Sequence, residues 1–116
     1  MNQKQVKIVQ ELVIGQCEGL RALINNTCKE YETEQIALNF LKESIGKARI
    51  NPRKQKIKQA RDFFLAFNKV LNKIEKMCKD NAKKMDSKTV PLSVFNLFLD
   101  HAQKEMIKSI GVEHNV

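Results

Sequence analysis

The 116-residue chain has no tryptophan, one tyrosine and three cysteines. It also has no apolar run approaching the roughly 20 residues needed to cross a bilayer, which excludes a membrane-spanning reading. Without tryptophan anchors, an amphipathic helix lying on a membrane surface is disfavoured as well. The first residues, Met1 to Lys7, lack the apolar stretch and small-residue cleavage site of a secretory signal. Cys17, Cys28 and Cys78 are odd in number and share no spacing that would make a disulfide framework or a metal site. Neither His101 nor His114 lies near a cysteine in the sequence. The cysteines therefore read as free, buried thiols in a reducing compartment, nucleus or cytosol.

Signatures of catalysis are missing too. There is no Gly-x-Ser-x-Gly and no His-Glu-x-x-His. Gly46-Lys47 lacks the rest of a phosphate loop, since Leu41 stands at the first glycine and Ala48 at the magnesium-binding hydroxyl. His101 and Glu105 share a helix face but have no third ligand in view, so they read as a surface pair. No enzyme, metal, cofactor or small-molecule substrate is expected. Strand alternation, internal repeats and low-complexity tracts are not visible either.

What is present is helical periodicity from end to end. The 42% hydrophobic content suits one compact domain. Val6, Val9, Val13, Cys17, Leu20 and Ile24 recur at steps of three and four. Gly15 and Gly19 lie inside that pattern, and their cost to a helix predicts close packing against a neighbour or a kink. Asn25-Asn26-Thr27 interrupts it, and Thr27 with Glu30 has the spacing of a capping box for a second helix. Glu30, Glu32 and Glu34 would then favour the positive end of that helix dipole. Ala37, Leu38, Leu41, Ile45 and Ala48 form its apolar face. Asn51-Pro52 restarts the chain, with asparagine as N-cap and proline in the first turn. Ile57, Ala60, Phe64, Phe67, Leu71, Ile74 and Cys78 then mark a long third helix. Pro91 opens a fourth, which Gly111 ends. The expected fold is all-α: a bundle of about four helices, over 3–25, 28–46, 52–84 and 91–110, with one long central helix.

Charge is distributed unevenly. Thirteen bases and three acids fall within Gly46–Lys84, whereas the flanking segments are each slightly acidic and the whole chain is +8. Segregated positive charge creates a field that a polyanion can use. Its first part, Lys47, Arg49, Arg53, Lys54, Lys56, Lys58 and Arg61, surrounds the predicted start of the long helix, where free backbone N–H groups also favour phosphate. Lys69, Lys73, Lys76, Lys79 and Lys83 continue along the outer side of that helix.

Two stretches resemble chromatin families. Pro91-Leu92-Ser93-Val94-Phe95-Asn96-Leu97-Phe98-Leu99-Asp100-His101-Ala102 resembles the opening of an HMG box. That resemblance implies Ser93 facing DNA and Asn96 near a base step. Residues 36–102 are similar to a histone fold, with the basic loop Lys47-Ala48-Arg49 before a long helix and Lys88-Thr89-Val90 before the last one. That similarity implies phosphate contacts from Arg49 and Lys88, a histone-like helix arrangement and an obligate partner. The expected function is non-enzymatic binding of DNA or RNA phosphates, as a chromatin-associated subunit of a larger complex. The alternative is a protein-interaction or scaffold subunit, docking through an apolar helix face with no nucleic-acid contact.

Overall fold

In the computed structural model, which describes residues 2–49 and 58–114, the elements run α1 (Gln3–Glu30), β1 (Gln35–Ala37), α2 (Leu38–Ala48), α3 (Lys58–Lys84), β2 (Thr89–Pro91) and α4 (Leu92–His114). The all-α bundle of four helices expected from periodicity is present, with one addition. The two three-residue strands pair antiparallel, Ile36 opposite Val90, and tie the two halves together. Strands this short show no readable alternation, so the sequence gives no sign of them.

The helix α1 starts in a capping box: the Asn2 side chain accepts from the Gln5 N–H at 2.9 Å, and the Asn2 N–H donates to the Gln5 side chain at 3.0 Å. It does not stop at Asn25. Thr27 sits inside the helix, its hydroxyl donating to the Leu23 carbonyl at 2.8 Å rather than capping a new element. Termination comes at Tyr31, where the Thr33 N–H reaches back to the Cys28 carbonyl and the Glu32 N–H to that of Lys29. This is a Schellman turn, with Glu32 at φ 50° in the place glycine usually takes. Glu30, Glu32 and Glu34 therefore crowd the negative end of α1, opposite to the favourable placement expected of them.

The second half repeats the first at an offset of 54 residues. At the end of α3, Ser87 N–H donates to the Ala82 carbonyl and Asp86 N–H to that of Lys83, with Asp86 at φ 48°. The hydroxyls of Thr33 and Ser87 each accept from the N–H two residues on, at 3.1 and 3.0 Å. Each unit also starts the other's return helix: Leu38 N–H donates to the Lys88 carbonyl, and Leu92 N–H to that of Glu34. Buried positions match at the same offset, Val13 with Phe67, Ile24 with Cys78, Leu41 with Phe95 and Ile45 with Leu99. The repeat escapes a reading of the sequence because it conserves burial and hardly any residue identities.

Two long helices, not one, thus run toward the ladder, and two run back. The helix α4 packs against both α1 and α3, while α2 packs chiefly on α3. The molecule is elongated, 44 × 24 × 22 Å. Its core runs its length, from Val6 and Ile110 to Ile36 and Val90. The close approach expected at Gly15 and Gly19 does not occur: a Cβ added at either meets nothing within 4 Å. Nor does Gly111 end α4, which continues to His114.

Candidate nucleic-acid interface

The helix α3 turns Phe63, Phe67, Val70, Leu71, Ile74 and Cys78 into the core. That burial fixes what faces outward. Lys58, Arg61, Lys69, Lys76, Lys79 and Lys83 are all exposed and recur along the side away from the core. Lys58 to Lys83 spans 25 residues, about 38 Å of helix at 1.5 Å per residue. One turn of duplex is about 34 Å, so the strip matches the pitch of DNA in length. Lys58, Arg61, Lys69, Lys76 and Lys83 make no ion pair among the described residues. Lys79 lies 4.0 Å from Glu75, and Lys73 is turned toward α4, where it pairs with Glu105. Exposed Leu65 lies between Arg61 and Lys69.

Of the basic stretch expected over Lys47–Arg61, the described Lys47 and Arg49 do not gather with Lys58 and Arg61. Arg49 caps α2 and is engaged by α3: its guanidinium donates to Asn72 Oδ1 at 2.5 Å and to Glu75 Oε2 at 3.3 Å. Asn72 is 14 residues beyond Lys58, so Arg49 sits about 20 Å along the helix from it. Lys47 is exposed and paired with Glu43 at 3.1 Å. Arg53, Lys54 and Lys56, with the Asn51-Pro52 start, lie outside the described residues. Lys88 is exposed at the ladder end, where its carbonyl holds the start of α2. Ser93 is exposed in the first turn of α4. Asn96 is committed internally, accepting from Arg21 at 2.8 Å and donating to Asn25 at 3.2 Å.

A second ionic latch holds α1 to α4. Arg21 bonds Glu18 at 2.6 Å and also contacts Asp100. Burial alone would lower its pKa, but the hydrogen bonds it donates to the Glu18 and Asp100 carboxylates leave it raised. The three thiols are buried. Burial pushes Cys17 and Cys78 up to about 12, Glu18 adding to the rise at Cys17, and it also raises Cys28. Such thiols are poor nucleophiles. His101 pairs with Glu105 at 3.2 Å, the surface contact expected of it. Among the described residues, no three His, Cys, Asp or Glu side chains gather to hold a metal, and no helix is long and apolar enough to cross a membrane.

No protein-family model matches the chain, and no curated protein or solved structure resembles it at a significant level.

Proposed function

We propose that the protein binds nucleic acid without catalysis, through phosphate contacts from the outer face of α3. One observation carries this reading. Five exposed cations, Lys58, Arg61, Lys69, Lys76 and Lys83, stand on one rigid face without ionic partners among the described residues. Lysines arranged so neutralise a polyanion at little cost in side-chain rearrangement, and they read charge rather than base sequence. A chromatin-associated place in the nucleus, within a larger complex, belongs to the same proposal. Arg49 contributes less than its position in the sequence suggests, because Glu75 and Asn72 already occupy its guanidinium.

The test is to neutralise Arg61, Lys69 and Lys76 together as glutamines, which leaves the core untouched. Affinity for a duplex should fall, and the salt dependence should flatten by about one counterion per residue removed. Unchanged affinity and slope would move the binding surface away from α3.

A second reading, a protein-interaction subunit, draws on a separate observation. Ile8, Leu12 and Leu23 on α1 are about half exposed, on a face that carries no cationic strip.

A further inference from the structure

The two halves of the repeat cover their long helices unequally. On α3, Asp62, Ala66, Lys69 and Lys73 border the second half of α4, where Met106 and Ile110 pack and Glu105 pairs with Lys73. The same positions on α1, 54 residues earlier, are Ile8, Leu12, Gly15 and Gly19. The helix α2 ends at Ala48, the counterpart of Ala102, so the described chain has no helix to lie over them. Ile8 and Leu12 are 46% exposed and Leu23 is 50% exposed. Together with the two glycines they form a stripe at helical spacing, about a third of a turn around α1 from the buried one.

We propose that this face is a homodimer interface, filled by α1 of a second copy running antiparallel. Charge selects the occupant. If the helices cross between Gly15 and Gly19, each glycine faces the other kind, and Leu12 lies beside Leu23 of the second copy. The same register places Lys4 against Glu30 of the second copy at both ends. Lys4 and Glu30 are exposed and make no ion pair among the described residues. A parallel pair would set like charge against like at both ends. Paired glycines permit backbones to come closer than the usual 8–10 Å between helices. The dimer uses a helix face separate from the α3 strip and does not depend on the nucleic-acid reading.

The experiment is sedimentation equilibrium on the full chain from about 1 to 100 μM. The expected species has twice the 13.4 kDa mass of the chain. Leu12→Asp, an exposed change checked for an unaltered melt in dilute solution, should weaken association at least tenfold. Lys4→Glu and Glu30→Lys should each weaken it by about three- to tenfold, since each reverses two pairs. The double variant Lys4→Glu/Glu30→Lys should return to within about twofold of the starting protein. A monomer throughout the range overturns the proposal. So does a dimer indifferent to Leu12→Asp, and so does a double variant no better than the singles.

Discussion

Replacing Glu32 by glycine should make the protein more stable, although Glu32 is exposed and its side chain makes no hydrogen bond or ion pair among the described residues. The reason is the backbone. Glu32 holds φ 50° as the residue that closes the Schellman turn after α1. A side chain in the left-handed region costs roughly 1–2 kcal/mol, whereas glycine visits it freely. The greater freedom of glycine in the unfolded chain takes back roughly 0.5–1 kcal/mol. Glu32→Ala separates backbone from charge, because it removes the carboxylate from the negative end of α1 but keeps the Cβ. Glu32→Gly should be about 1 kcal/mol more stable than Glu32→Ala, or about 4 °C in Tm for a domain of this size. Urea and thermal melts followed by far-UV circular dichroism give both numbers. A glycine variant no more stable than the alanine variant would refute the turn geometry at Glu32.

Other perturbations follow from the core and its latches. Leu41→Ala should cost about 2–5 kcal/mol and Phe95→Ala about 3–5 kcal/mol, because each fills the same place in its half and is fully buried; denaturant titration measures both. Arg21→Ala should cost about 1 kcal/mol by the same assay, as it leaves Asn96 and Asp100 without their shared donor between α1 and α4. The native protein should resist a thiol reagent until unfolded, since all three cysteines are buried. Cys17 and Cys78 also set a pH dependence. Their folded pKa, about 12, lies above the ordinary 9.0, so above pH 9 the unfolded chain loses protons that the folded one keeps. Stability should therefore be insensitive to these thiols below pH 9 and fall between pH 9 and 12; a Cys17→Ala/Cys78→Ala variant should show a shallower fall.

The apolar spacing of α1 and α3 was legible in the sequence: Val6 to Ile24 and Phe67 to Cys78 are the residues the core uses. The ends of elements were not. Thr27 and Glu30 have cap spacing but lie within α1, and the true stop is a left-handed Glu32 where glycine would have signalled it. The helix α2 starts at Leu38 because the Lys88 carbonyl, 50 residues away, receives its first N–H. No local signal carries a contact of that range. Asp86 hides the stop of α3 in the same way, yet the polar run 86–89 made the break visible there. For the candidate site, the outward direction of Lys58, Lys69, Lys76 and Lys83 follows from helical phase alone. The fate of Arg49 does not, since its capture by Asn72 and Glu75 depends on where α2 ends against α3.

The central claim is that the outer face of α3 binds nucleic-acid phosphates. Fluorescence anisotropy with a short labelled duplex, repeated from 50 to 200 mM salt, tests it most directly. Five phosphate contacts from Lys58, Arg61, Lys69, Lys76 and Lys83 predict a slope of log K against log salt of about −4.5, or roughly 500-fold weaker binding across that range. Little dependence on duplex sequence should accompany that slope. No binding at 50 mM salt, or binding with a slope near zero, would contradict the account.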